Sequence, residues 1–218
     1  ILNGRMIRDY LVEFAGREFE CVDKGFEPGE PVDVVVRPED IYIFHKQNDN
    51  QFRGQVSSCT FKGVHYEMMV TTPEEYEFMI QDYNAFAAGE SVGMLIKASD
   101  IQVMKKERLC NTFQGTVVDE NHVRFLGTTF ECAGTQGLEA DTDVLVNVDF
   151  ADVVLQDYEE EGMVSGTVTF ILYKGNHYHL TVTTGEGENI YADTNDIWDD
   201  NDNVGVSIAP QAIRIEKL

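Results

Sequence analysis

The chain contains itself twice. Residues 12–21 read VEFAGREFEC and residues 123–132 read VRFLGTTFEC, six of ten identical at an offset of 111. Gly4 and Gly115 keep that offset. Further on, GQVSSCTFKGVHYEMMVTT (54–72) faces GTVTFILYKGNHYHLTVTT (166–184), nine of nineteen identical, now at 112. Val92-Gly93 with Val204-Gly205 and Ile101 with Ile213 hold the second offset, so one residue was gained between the blocks. Two copies are too few for a solenoid, which needs about three or more repeats. They predict two similar modules, 1–108 and 109–218, joined at the charged link Lys105-Lys106-Glu107-Arg108.

Within each half the periodicity is that of strands. Val32, Val34 and Val36 recur at every second position, as do Val144, Val146 and Val148. Residues 167–172 and 178–184 are rich in β-branched and aromatic side chains. Glycine-containing breaks every 8–12 residues or so suit small antiparallel barrels or sandwiches. One stretch predicts a helix, residues 73–86, with Pro73 in the first turn and Glu74 and Glu75 favouring its dipole. The fold expected is otherwise all-β.

Charge narrows the functions. With 16 Lys+Arg against 39 Asp+Glu the formal net charge is −23, which repels a nucleic-acid backbone. No apolar run reaches the roughly 18–20 residues of a membrane-spanning helix. Cys21, Cys59, Cys110 and Cys132 are too dispersed for a disulfide framework and form no C-x-x-C zinc pair, which fits a reducing, cytosolic compartment. Cys21 and Cys132, both after Phe-Glu in alternating segments, are expected as small core residues. The start at Ile1, with no leader-like segment after it, suggests a piece of a longer chain.

Chemistry-bearing patterns are few. His65-Tyr66 and His177-Tyr178 occupy matched positions, but strand neighbours point to opposite faces, so the expectation is a buried tyrosine with its hydroxyl satisfied beside an exposed or capping histidine. Lys62-Gly63 and Lys174-Gly175 mark one hairpin turn with solvated lysines. The acidic run holding Asp193, Asp196, Asp199, Asp200 and Asp202 fails as a calcium loop. The sixth position is Trp198 or Val204 where glycine is required. The run is expected to attract cations weakly and with salt screening, and it is the candidate loop for attracting a polyamine. Residues 157–162 are likewise a solvated acidic loop. No nucleophile–base pair or metal-ligand spacing stands out, so the expectation is no catalytic, cofactor or metal site.

One series is more specific. Arg37-Pro38-Glu39-Asp40-Ile41, then Phe52-x-Gly54-x-Val56, then Phe61-x-Gly63-x-x-Tyr66 resembles the transport-associated OB (TOBE) domain at the C-terminal end of ABC-transporter ATP-binding subunits. Leu2-Asn3-Gly4 and Val12-x-Phe14-x-Gly16 make it most similar to the polyamine (spermidine/putrescine) importers. The second half keeps Gly166-x-Val168 and Gly175-x-x-Tyr178, but Asp149-Phe150-Ala151 stands where Arg37-Pro38-Glu39 does, so it resembles a diverged extra copy.

The resemblance implies tandem OB-like barrels, with the Arg-Pro-Glu segment shaping the barrel and its contacts. It implies a regulatory, dimer-supporting role beside an ATPase domain that holds ATP and magnesium and works with permease subunits at the cytoplasmic face of a bacterial plasma membrane. The chain has no G-x-x-x-x-G-K-[ST] loop, so hydrolysis is not expected from it. The alternative is a stand-alone OB-type module for a sugar, an oxyanion or a polyamine.

Overall fold

A computed structural model describes residues 1–49 and 51–218. Among them are twenty strands, five short 3-10 turns and no α-helix. The first repeat comprises β1 (Leu2–Arg8), β2 (Leu11–Phe14), β3 (Arg17–Glu20), β4 (Pro31–Val35), β5 (Ile41–Phe44), β6 (Phe52–Phe61), β7 (Tyr66–Thr71), β8 (Glu77–Asp82), β9 (Ser91–Ile96) and β10 (Gln102–Lys105). The second repeats the order as β11 (Asn111–Asp119), β12 (His122–Phe125), β13 (Thr128–Glu131), β14 (Asp143–Val148), β15 (Val153–Gln156), β16 (Val164–Tyr173), β17 (Tyr178–Thr184), β18 (Asn189–Thr194), β19 (Asn203–Ile208) and β20 (Arg214–Lys217). Eleven residues separate β13 from β14 where ten separate β3 from β4, so the residue that moves the offset from 111 to 112 lies in that loop.

Each repeat makes two five-stranded antiparallel sheets, ordered β10-β4-β1-β2-β3 and β5-β9-β6-β7-β8 in the first, with the same two orders in the second. In the second sheet of each repeat the outer strands, β5 with β8 and β15 with β18, come back into contact. Those sheets therefore curl into the partly open five-stranded barrel of the OB type. Ala15-Gly16 and Leu126-Gly127, all at positive φ, close the β2–β3 and β12–β13 hairpins with the two-residue turns that match strand twist.

A shorter repeat lies inside the long one. VVVRPEDIYI (34–43) and MLIKASDIQV (94–103) are related by an offset of 60, as are VNVDFADVVL (146–155) and VSIAPQAIRI (206–215). In each, a strand ends in a one-turn 3-10 helix (Pro38–Asp40, Ala98–Asp100, Phe150–Asp152, Pro210–Ala212), and the chain emerges in the other sheet of its repeat. The turn buries the apolar residue just after it, Ile41, Ile101, Val153 or Ile213. Each repeat thus passes its chain between sheets twice, by the same device.

Contacts divide the chain into two compact units, Ile1–Lys106 with Tyr173–Asn176, and Glu107–Leu172 with His177–Leu218. Each has its own core: Met6, Val12, Val34, Met68, Ile80 and Met94 are among the buried residues of unit 1, and Val123, Phe130, Val146, Val182, Ile190 and Val206 of unit 2. Cys21 and Cys132 are buried within these cores, and all four cysteines are free. The helix expected over 73–86 does not form. Thr72 and Tyr76 close a turn in which Glu75 sits at φ 65°, and residues 77–82 follow as β8. Phe78 and Ile80 go inward with period 2, and pairing with β7 satisfies a backbone that a short isolated helix would have left exposed. No helix of the described residues is long and apolar enough to cross a membrane.

Candidate functional site

The residues of the family series are placed by the fold at three levels. Arg37, Pro38, Glu39 and Asp40 make the first crossover turn, closed by the Asp40 N–H donating to the Arg37 carbonyl at 3.0 Å. Arg37 and Glu39 point to solvent. At the matched turn of unit 2, Asp149 replaces Arg37 and accepts both guanidinium nitrogens of Arg214 at 2.6 and 2.9 Å. That pair holds the Asp149 carboxyl below its usual range, though both side chains are about half exposed. Gly54 and Gly166 lie where strands cross closely. A Cβ on Gly54 would stand 2.5 Å from Val70 Cγ1 and 2.7 Å from Met94 Cε, and one on Gly166 would stand 2.6 Å from Val182 Cγ1. Tyr66 and Tyr178 open β7 and β17, each half-buried.

The β6–β7 and β16–β17 hairpins share one turn, with Gly63 at φ 94° and Gly175 at φ 91°. Their surroundings differ completely. Lys62 is exposed, but Lys174 is buried, contrary to the expectation of two solvated turn lysines. Residues Tyr173–Asn176 belong to unit 1 and are seated on its strands. Lys174 Nζ lies 2.7 Å from Asp33 Oδ1, the Tyr173 hydroxyl 2.9 Å from Glu77 Oε2, and the Glu77 N–H donates to the Gly175 carbonyl at 2.8 Å. Gly175 rests against Leu2 and Tyr76. Lys106 joins the same carboxylate at 3.1 Å while also reaching Asn3 Oδ1 at 2.6 Å. Burial would raise the Asp33 pKa, but Lys174 and Lys106 outweigh it and hold the group below its ordinary value. Sequence alone showed the turn and not the seat, because nothing local to Lys174 distinguishes it from Lys62.

The acidic run does not converge on one point. Asp193 lies on β18, half-buried, with His179 Nδ1 at 2.6 Å and His177 Nε2 at 3.6 Å. His177 is therefore enclosed beside that carboxylate, not exposed. Asp196, Asp199, Asp200 and Asp202 lie on the following loop. There they serve its own turns: the Asp199 N–H donates to Asp202 Oδ2 at 2.8 Å and the Asp196 N–H to Thr194 Oγ1 at 3.0 Å. No group of three or more His, Cys, Asp or Glu among the described residues is arranged to hold a metal ion. His179 packs with Phe150 and Tyr191, which stand where the first repeat has Pro38 and Met79. Sequence reasoning missed this cluster because its members lie far apart between positions 150 and 193 and meet only where the β17–β18 pair packs beside the crossover turn at Phe150.

Beside Tyr191 opens a cleft of about 750 Å³, lined by residues 107–114 with Glu188 and Asn189. Asn111 secures one wall, its amide bonded to both the N–H and the carbonyl of Tyr191 at 2.8 Å. The Arg108 guanidinium lies 5.0 Å over the Tyr191 ring. A cleft of about 540 Å³ in unit 1 is lined by Gln47, Arg53, Gln55 and residues 71–73.

Comparison with known proteins gives a consistent picture. The chain is 58% identical, over all 218 residues, to the spermidine/putrescine import ATP-binding protein PotA of Bacteroides thetaiotaomicron, and 57% identical over 217 to that of Bacteroides fragilis. In both it covers 47% of the relative, so it spans about half their length. The protein of that name from Clostridium novyi is 53% identical over 106 residues, 49% of this chain and 30% of that one. Those shares imply relatives of about 460 residues in Bacteroides and about 350 in Clostridium, a difference the size of one repeat. The cytoplasmic molybdate-binding protein ModG aligns over 78% of this chain and 96% of its own at 12% identity, with a TM-score of 0.36, too loose to bear on function. A family model described as the TOBE domain matches residues 34–104 and 143–215, together about two thirds of the chain and each running from the first crossover turn of a repeat to the last. This chain belongs to the TOBE domain family, and it carries that domain twice.

Proposed function

We propose that the chain is the C-terminal regulatory and dimer-supporting region of the ATP-binding subunit of a bacterial polyamine ABC importer. What supports this is identity of 58% along its entire length to a spermidine/putrescine import ATP-binding protein twice as long. On this reading ATP, magnesium and hydrolysis belong to the half of the subunit that this chain does not span, and none of its residues is catalytic. The barrels hold two subunits together through the transport cycle, beneath permease subunits at the cytoplasmic face of the membrane. With a net charge of −23, the surface concentrates cations such as polyamines around it.

Whether the region also senses polyamine is decided by a thermal-shift titration with spermidine and putrescine at low and physiological salt, with magnesium at matched charge. Trp198, the single tryptophan, packs on the unit 2 core between Asp196 and Asp199 and gives a second, fluorescent readout. Stabilisation that saturates, survives salt and favours spermidine establishes a sensor. A shift that magnesium reproduces or salt abolishes leaves the scaffold role alone. For the scaffold, deletion of the region from the whole subunit is expected to weaken subunit pairing; unchanged pairing and transport would refute it.

A further inference from the structure

Unit 1 holds a seated hairpin tip, and among the described residues none is placed in the same way on the matching positions of unit 2. In unit 1 the seat is Leu2, Asp33, Tyr76 and Glu77, occupied by Tyr173–Asn176. Strand register locates its counterpart in unit 2. Leu2 pairs with Val34 as Phe113 pairs with Val146, Asn3 with Asp33 as Gln114 with Leu145, and Thr71 with Glu77 as Thr183 with Asn189. The equivalent seat is therefore Phe113, Leu145, Glu188 and Asn189, and three of these four line the 750 Å³ cleft. The hairpin tip equivalent to 173–176 is 61–64, and it is exposed: Phe61 by 58% and Val64 by 74%, with open space around Gly63.

We infer that the cleft of unit 2 receives the hairpin tip 61–64 of a second copy of this chain. Tip and seat have changed together. Where Tyr173 offers a hydroxyl to the Glu77 carboxylate, Phe61 offers none and the seat carries Asn189. Where Lys174 meets Asp33, the seat carries Leu145, and a carboxylate stands at Glu188 in place of Tyr76, for Lys62 to use. Asn176 becomes Val64, and the cleft provides Phe113 and Leu109 for it. The tip is more apolar, with Phe61 and Val64 for Tyr173 and Asn176, and the seat has Leu145 for the Asp33 carboxylate; Lys62, which pairs with Glu67 in its own hairpin, meets Glu107 and Glu188 on a cleft wall that also carries Arg108. Reciprocated about a two-fold axis, the contact is made twice, tip to seat and seat to tip, and closes in the dimer. Four residues cover far less than a standard interface, so the contact is weak alone and acts in addition to other association.

The inference uses the second copy posited above but needs neither polyamine nor ATPase, and its test is separate. In a Cys59→Ser, Cys110→Ser background, chains carrying Val64→Cys are mixed with chains carrying Glu188→Cys and oxidised with copper phenanthroline. A disulfide-linked dimer that forms in the mixture, and not in either chain alone, is expected. Phe61→Asp on the tip chain is expected to cut its yield about tenfold, and Phe61→Tyr to keep it. Phe61 is mostly exposed, so these variants fold, which circular dichroism checks. Absence of the mixed dimer, tip-to-tip dimers at equal yield, or indifference to Phe61→Asp would overturn the inference. So would an intrachain disulfide that outcompetes the dimer in a chain carrying both cysteines.

Discussion

Replacing Asp33 with leucine, the residue the second repeat has at Leu145, isolates what this carboxylate does. Lys174 is 7% exposed at its side chain and has Asp33 at 2.7 Å. Lys106 is less enclosed and keeps Asn3. Removing the carboxylate strands the Lys174 ammonium in a nearly dry site. Leaving one partner of a buried pair costs about 3–5 kcal/mol. Asp33 is still 23% exposed and lysine has a flexible stem, so about 2 kcal/mol is the appropriate figure here. That corresponds to about 30-fold in the opening equilibrium of the tip.

Because residues 173–176 contribute no side chain to either hydrophobic core, the loss is expected to be local and melting temperature is a poor measure of it. Native-state hydrogen exchange at the Glu77 amide is the right one, since that N–H is bonded to the Gly175 carbonyl and reports only the seated tip. D33L is expected to speed it about 30-fold, and D33L/K174M to return it to within about threefold, because no charge is then stranded. If D33L leaves Glu77 exchange unchanged, or the double variant stays as open as the single, the seat is held by packing and backbone bonds and the ion-pair argument is wrong.

The remaining predictions follow from the same geometry. Since the lysines hold the folded Asp33 pKa below its ordinary value, the stabilisation is present above the usual carboxylate range and is lost as pH falls through that lowered value. Glu77 protection, corrected for intrinsic exchange, should therefore persist through the ordinary carboxylate range and fail only at more acid pH. Gly54→Ala forces a Cβ onto Val70 and Met94 and is expected to cost about 1–3 kcal/mol by chemical denaturation; a neutral result would mean that β6 shifts freely. Gly63→Ala and Gly175→Ala carry the same φ penalty of about 1 kcal/mol, so any excess at Gly175 measures its seat against Leu2 and Tyr76, and equal costs would deny that seat. Arg214→Gln breaks a two-point but half-exposed pair and should change stability by less than about 1 kcal/mol; a larger loss in a melt would show the crossover turn to depend on it.

What the sequence revealed, and what it hid, follows from where each cause lies. Duplication and period-2 alternation are written along the chain, so the all-β fold and the tandem repeat are legible in the order of residues alone. Residues 73–86 misled because Pro73 and two glutamates imitate a helix start, whereas pairing with β7 claims the backbone of 77–82. The quarter repeat at offset 60 is nearly invisible in identities, since only inward positions such as Ile41 and Ile101 are constrained. The Lys174 seat, the His179–Tyr191–Phe150 group and the cleft beside Tyr191 depend on strands meeting in space. The matched Lys-Gly turns gave no warning that one is enclosed and the other exposed.

The place of the first and last strands in a repeat bears on how a second copy arose. β1 and β10 flank β4 in one sheet, both antiparallel to it, with Lys105 level with Val32 and hence with Gly4. Two strand spacings across and two residues along put the beginning and end of the repeat about 12 Å apart. A module with neighbouring ends can be spliced after itself through a link of a few residues, with neither copy's hydrogen-bonded ladder interrupted. Chains of about 350 and about 460 residues in the same family are the lengths that such an event leaves behind.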